Sequence, residues 1–330
     1  MTNKTPTASI VIPAYNAAET IAETLESVFA QDFTDYEVIV VDDGSTDNTM
    51  EVLQQFDDPR LRIVQQQNRG LAGAHNTGIH ESRAPFVAFC DADDLWVPEK
   101  LGRHIKHLQD NPQIGISFAG SRLIDEEGTL IGIDQSPKLT AITVADIFKR
   151  NPIGNGSAAV MRREALDEFA YRPFHETERD WWFDENFRQS DDIEGWLRFS
   201  TTMDWTIEGI PGHLTLYRVN TQGLSANIEK QFETWMRMRS KIEEIVPSIA
   251  ERHAAAAAAY QLRYLARRAV SMGDGKAAFS LAVKAMRTSS RPLFEEPAKT
   301  LVTLAAAIVL KVAGPSVYRF AESAVLKRSN

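Results

Sequence analysis

Short apolar runs rich in isoleucine and valine recur through the first quarter of the chain. Ser9–Pro13, Glu37–Val41, Leu61–Val64 and Phe86–Cys90 have the length and β-branched content of strands buried on both faces. Between and after them the apolar spacing turns helical. Ile21, Leu25, Val28 and Phe29 fall on one stripe, and Leu101, Ile105 and Leu108 on another. Strand and helix in alternation predict an α/β fold, a Rossmann-like, mostly parallel sheet flanked by helices. Past Asn111 the pattern loosens. Ile114–Ile133 reads as two strands about a turn at Asp125-Glu126-Glu127-Gly128. Helical pieces at Thr143–Arg150 and Ile193–Phe199 and strands at Trp205–Glu208 and Leu214–Val219 follow. From about Ser225 the spacing is helical. Ala254–Ala259 leads into Tyr260–Met272, and Gly273-Asp274-Gly275 breaks to a second helix ending near Arg287, which predicts an αα-hairpin. The expected organisation is therefore an α/β domain over 1–225 and a C-terminal helical appendage over 226–330.

Charge sharpens that division. Residues 1–225 carry 19 Lys and Arg against 36 Asp and Glu, whereas 226–330 carry 17 against 9, so a net of -17 gives way to +8. The whole chain of 330 residues is at -9, which argues against a nucleic-acid partner, since phosphate contacts need a basic face. The single cysteine, Cys90, excludes an intrachain disulfide or a cysteine-rich metal site. No secretory signal is visible from Met1 to Tyr15, and no unbroken apolar run reaches the roughly 20 residues of a bilayer span. A cytoplasmic location is the expectation.

Candidate chemistry lies where strands end. In an open parallel sheet, ligands collect beyond the carboxyl ends of the strands. The second strand runs out in Val41-Asp42-Asp43-Gly44-Ser45-Thr46-Asp47 and the fourth in Cys90-Asp91-Ala92-Asp93-Asp94. So much like charge in one crevice calls for a cation or hydrogen-bond donors. An isolated Asp-x-Asp more often caps a helix, here the one around Pro98–Leu108. At the end of a buried strand facing a second acidic strand end, Asp91 and Asp93 read instead as ligands for Mg²⁺ or Mn²⁺ completed by phosphate oxygens and water. No Walker loop and no Gly-x-Gly-x-x-Gly follows the first strand, which leads to Pro13-Ala14-Tyr15-Asn16. A diphosphate would lean on a metal rather than on backbone N–H groups.

In this order and spacing the motifs resemble the family 2 inverting glycosyltransferases of the GT-A fold, from Ser9 to about Ser225. Ser9-Ile10-Val11-Ile12-Pro13-Ala14-Tyr15-Asn16 is similar to the family's opening strand and loop, the Asp42–Asp47 stretch to its nucleotide-binding strand end, and Asp91-Ala92-Asp93-Asp94 to its metal motif. Phe183-Asp184-Glu185, Ser190-Asp191-Asp192 and Trp196-Leu197-Arg198 resemble the segment with the catalytic carboxylate. The resemblance implies transfer of a sugar from a nucleoside diphosphate, with a UDP-sugar favoured, to an acceptor hydroxyl, in synthesis of an envelope polysaccharide or glycolipid. Pro13, Tyr15, Asn16, Asp42, Asp43, Arg69, Asn76, Asp91 and Arg218 would bind the donor, Tyr15 by stacking on uracil and Asp42 by accepting from its N–H. Asp91 and Asp93 would hold the metal, and Asp192 would be the general base, with helix capping as the competing role of Asp191 or Asp192. On the acceptor side stand Asn155, Gly156, Asp191 and Trp182, with core packing the commoner fate of a tryptophan. Three positions depart from the family pattern: His75 stands where Arg is usual, Asp191 where Glu is usual, and Asn220 where His is usual. A glycoside hydrolase, which also needs two carboxylates, and a non-catalytic nucleotide-sugar-binding scaffold are the alternatives.

The apolar Leu301–Leu310 segment is bracketed by Lys299 and Lys311, with Arg319, Lys327 and Arg328 beyond. It reads as a basic amphipathic element for the inner face of an anionic membrane, suited to a glycan or lipid-linked acceptor, with a homodimer surface as the competing reading.

Overall fold

The computed structural model describes residues 5–219 and 228–329. The 225/226 boundary and Asn220 lie outside the described residues. The chain divides into two compact units, one of residues 1–143 and 151–223, the other of 144–150 and 224–330.

The first unit opens with β1 (Ala8–Ala14), α1 (Ile21–Phe29), β2 (Tyr36–Asp42), α2 (Thr49–Leu53), β3 (Leu61–Gln65), α3 (Gly70–Glu81), β4 (Phe86–Phe89), β5 (Leu95–Trp96) and α4 (Lys100–Asp110). β6 (Ile114–Ile124) and β7 (Leu130–Gln135) follow. α5 (Val144–Lys149) belongs to the second unit, and the first resumes with β8 (Val160–Arg162), α6 (Arg163–Phe169), α7 (Asp191–Thr202) and β9 (Thr206–Arg218). The sheet order is β3-β2-β1-β4-β8-β6-β9-β5, with β7 on β6. β1–β4 are parallel, while β4–β8, β6–β8, β6–β7 and β5–β9 are antiparallel.

Strand alternation explains why β1 and β2 read as continuous apolar runs. Ile10, Ile12, Val38 and Val40 pack with α1 and α4 through Leu25, Val28, Leu101 and Ile105, while Ile39 and Val41 face Ala74 of α3. Gly78 lets α3 approach β1 closely, since a Cβ there would lie 2.2 Å from Val11 Cγ1. The two strands expected at Trp205–Glu208 and Leu214–Val219 are one strand, β9. Its pairing with β6 shifts register on either side of Gly120, opposite the Gly209–His213 stretch. A bulge lets one strand bend through a segment whose alternation is broken.

The second unit is helical: α5, α8 (Ile228–Ile245), α9 (Pro247–Ser271), α10 (Gly275–Thr288), α11 (Arg291–Glu295) and α12 (Pro297–Ser329). By sequence position α5 falls in the first region. Phe148 of α5 stacks on Trp235 of α8 at 6.2 Å, which draws it into the second unit. α9 and α10 form the expected hairpin, with Asp274 capping α10 by accepting from Ala277 N–H. Small residues fill the core among α9, α10 and α12, namely Ala266, Ala269, Ala278, Ala282 and Ala307 with Leu310. One expectation needs correction. Among the described residues Pro297–Tyr318 is long and apolar enough to cross a membrane by length and composition, with 22% of its 18-residue apolar window buried. Counting only an unbroken apolar run stops at Lys311 and misses it. The helix is interrupted at Gly314, whose backbone (φ 81°, ψ 172°) is not helical, just before Pro315.

Candidate active site

β1 lies between β2 and β4, and the three run parallel, so their carboxyl ends meet at one edge. The order reverses between β1 and β4, the switch point at which α/β sheets open a ligand crevice. Asp42 closes β2 opposite Ala14, and Asp91 follows β4, whose Phe89 pairs with Val11. The two acidic strand ends therefore flank the end of β1, two strand spacings or about 10 Å apart at the backbone.

On the β2 side, the buried Asp42 carboxylate accepts from Ser45 N–H at 3.1 Å and Gln65 Nε2 at 3.3 Å. Pro13 is buried, while Tyr15 is 52% exposed and keeps an open aromatic face. Asn16 holds a left-handed backbone (φ 50°), a strained choice for a non-glycine residue. Its N–H donates to Ser45 Oγ at 3.0 Å and its Oδ1 accepts from Thr46 N–H at 2.8 Å. These bonds tie the β1 loop to the β2 loop.

On the β4 side, Asp91 N–H donates to Ser157 Oγ at 2.8 Å, and that hydroxyl donates to Asp94 Oδ2 at 2.5 Å. Asp94 also accepts from Arg218 N–H at 2.9 Å. Asp94 is thus a buried tie between the acidic loop, the short 3-10 turn Gly156–Ala158 and β9. Burial, with Asp93 and Asp91 adding repulsion, pushes its carboxyl well above the usual range. Burial pushes Asp91 up to about 6, with Asp93 and Asp191 adding to the rise and His75 opposing it.

Asp91 Oδ1 is buried without a hydrogen-bond partner. Gly156 keeps the space beside it clear, since a Cβ there would come to 3.7 Å of that oxygen. No three His, Cys, Asp or Glu among the described residues form a ready cage. An orphaned carboxylate oxygen, a second carboxylate at Asp93 and no closed cage fit a hard divalent cation that draws its remaining ligands from phosphate and water.

The third acidic group begins α7. Ser190 precedes it with a left-handed backbone (φ 56°), so two of the three non-glycine residues with positive φ among those described, Asn16 and Ser190, flank this crevice. Asp191 is buried. Asp192 is pushed up to about 7 by burial and by Asp191 and Asp91, against the Ile193 N–H and His75. Asn151 Nδ2 lies 3.5 Å from Asp192 Oδ2. His75 joins the two acidic groups. Its Nε2 is 4.0 Å from Asp91 Oδ1 and its Nδ1 3.6 Å from Asp191 Oδ2, with its ring packed on Phe89 and Phe183.

Five sequence-assigned residues also hold the scaffold together. Asp43 accepts from Arg69 N–H, Gly70 N–H and Gln66 Nε2, and so anchors the start of α3. Arg69 donates to Glu176, Glu178 and Glu185. Asn76 is fully buried; its amide donates to Phe183 O and Glu185 and accepts from Trp182 and Phe183 N–H. Arg218 donates to the carbonyls of Asp93, Asp125 and Glu126 and to Glu23 at 2.6 Å. Trp182 is a core residue whose Nε1 donates to Leu166 O at 2.9 Å. The polar groups of all five thus have protein partners in this structure, as do those of Asp42 and Asn16. Asn155 is buried with Nδ2 donating to Ser121 Oγ and Oδ1 unpartnered. Sequence reasoning missed Ser157 and Lys100. The buried Lys100 ammonium donates to Thr215 Oγ1 at 3.1 Å and is pushed down to about 7 by burial.

Comparison with known proteins decides the family. The chain is 30% identical over 244 residues to the Bacillus subtilis glycosyltransferase TuaG, ascribed to teichuronic acid biosynthesis, covering 72% of this chain and 90% of that one. The chain belongs to glycosyl transferase family 2. The sequence model of that family, Glycosyl transferase family 2, matches residues 9–169. The Escherichia coli protein WfgD, named as a UDP-Glc:α-D-GlcNAc-diphosphoundecaprenol β-1,3-glucosyltransferase, is 32% identical over 176 residues, 53% of this chain and 67% of its own. Residues 1–349 of S. aureus TarS, solved with UDP, superimpose with a TM-score of 0.58 at 18% identity, covering 95% of this chain and 91% of that one. This family 2 glycosyltransferase therefore has the GT-A fold, and the crevice at the β1/β4 switch point is its candidate active site.

Proposed function

We propose that this glycosyltransferase moves a sugar from a UDP-sugar to an acceptor hydroxyl with inversion, in assembly of an envelope glycan on a lipid-linked or saccharide acceptor. The observation that carries the reading is the meeting of three carboxylate groups: Asp42 and Asp91 flank the end of β1, and Asp192 is close enough to Asp91 for their charges to shift its proton affinity. The names of TuaG and WfgD support an envelope acceptor, and the latter a UDP donor.

Tyr15, Pro13 and Asn16 would form the base pocket, with Asp42 accepting from the uracil N–H. Asp91 and Asp93 would hold Mn²⁺ or Mg²⁺, which when bound supplies positive charge to the departing diphosphate. Arg218 grips the Asp93 carbonyl and so fixes the loop that carries both ligands. Asp192 would take the proton from the acceptor hydroxyl as its oxygen attacks the anomeric carbon. A carboxyl poised near 7 suits that exchange at neutral pH. Asn155, Gly156 and Asp191 would border the acceptor.

The test is transfer from UDP-glucose and UDP-GlcNAc to a saccharide or prenyl-diphosphate acceptor, with the product anomer read by NMR. An inverted product is expected, and Asp192→Asn should lower kcat about 10²–10⁴-fold while UDP affinity stays within about threefold. A retained anomer, or undiminished transfer by Asp192→Asn, overturns the mechanism.

A further inference from the structure

α12 has two apolar faces. The first, Thr303, Ala307 and Leu310, is buried, Ala307 and Leu310 against α9 and α10. At about 100° per residue, Leu301, Ala305, Ile308 and Val312 fall on the opposite side, flanked by Val302 and Val309. Leu301, Val302, Ile308 and Val312 of this second face are exposed, Val302 at 68% and Val312 at 81%. From Thr300 to Leu310 there is no charged residue on any side. A helix packed on one face of a soluble bundle presents polar residues on the other; one that is apolar all round has an apolar neighbour on both sides.

The charges stand at the two ends of that segment. α12 carries Lys299, Lys311, Arg319, Lys327 and Arg328 against one acidic residue, Glu322. Acidic partners are concentrated before α12, where Glu295 and Glu296 engage Lys149, Arg150, Arg263 and Arg291, and Glu296 also pairs at 3.1 Å with Lys299, which stays 60% exposed. Lys311 packs over the Phe279 ring, and an apolar stripe with basic residues beyond its two ends matches an anionic bilayer surface, where acyl chains take the stripe and headgroup phosphates take the ends. Spanning is disfavoured by the break at Gly314, which leaves 17 residues from Pro297 to Ala313, and by the first face, which is already buried against α9 and α10.

We infer that α12 is a membrane-docking element that lies in the plane of an anionic bilayer with Leu301, Val302, Ile308 and Val312 inserted. The inference is independent of the transferase reading, since vesicle binding needs no donor, metal or acceptor. The test is co-flotation of the full chain with phosphatidylcholine vesicles, with and without phosphatidylglycerol. Binding is expected on the anionic vesicles alone and should fall with added salt. Val302→Glu/Val312→Glu should weaken it at least about tenfold with an unchanged circular dichroism melt. Lys299→Gln/Lys311→Gln, which leaves the apolar face intact, should also weaken it. Three results would each overturn the inference: no binding by the wild type, equal binding by the Val302/Val312 variant, or a wild-type dimer that this variant turns into a monomer while neither binds vesicles. The last would assign the face to a second copy of the chain.

Discussion

The two units treat polar and apolar groups in opposite ways. The first buries carboxylates: Asp42, Asp43, Asp94 and Asp191 are all almost inaccessible, and Asp91 and Asp192 are held partly protonated near neutral pH. The second is built on alanine packing and leaves isoleucine, leucine and valine in the open along α12. Burying unneutralised carboxylate and exposing apolar surface are both unfavourable in isolation. The first is where the proposed cation and diphosphate would bind, and the second is the face inferred to dock on an apolar surface.

Substitutions separate scaffold from function on each side of this contrast. The largest stability effect is expected inside the first unit. Trp182→Ala removes a buried indole and its bond to Leu166, and should cost about 3–5 kcal/mol by urea denaturation. If the loss is under about 1 kcal/mol and transfer alone falls, Trp182 is an acceptor platform after all.

A smaller effect comes from the titration of Asp192. Its folded pKa of about 7 lies above the value of 3.8 for a free side chain, so the native state binds the extra proton between those values. The stability it contributes is complete below about pH 4 and is lost as pH rises through about 7. Asp192→Asn removes this dependence, so the variant should gain on the wild type in melting temperature as pH rises from about 5 to 7.5. A constant difference across that range would mean that Asp192 is an ordinary surface carboxylate. The same linkage requires Mn²⁺ to stabilise the wild type more at pH 7.5 than at pH 5.5, because Asp91, pushed up to about 6, must lose its proton to bind it.

The smallest effect belongs to the second unit. Val302→Glu/Val312→Glu places charge on exposed positions and should change stability by less than about 0.5 kcal/mol. A larger loss would mean that this face is packed in the free protein.

How much of this was legible in sequence follows from where each interaction comes from. β1, β2, β3 and β4 are apparent because burial on both faces writes an unbroken apolar run, and Asp42, Asp91 and Asp93 because strand ends in a parallel sheet share one edge. The partners of Arg69, Asn76 and Arg218 are not apparent. Glu185 is 116 residues from Arg69, Trp182 is 106 from Asn76 and Glu23 is 195 from Arg218, so no local pattern announces that those side chains are already engaged. β9 looks like two strands in sequence because its bulge breaks the alternation. The length of α12 was underestimated because one lysine and a few small residues interrupt the run without ending its apolar character.

The most direct measurement is a calorimetric titration of UDP into the wild type and into Asp93→Asn, each with Mn²⁺ and with EDTA. Binding by the wild type that strengthens at least about tenfold with Mn²⁺, and a metal response lost in Asp93→Asn, is the expected result. Equal UDP affinity with and without the ion, or a full metal response in Asp93→Asn, would contradict the assignment of the β4 carboxylates to a cation that holds the diphosphate.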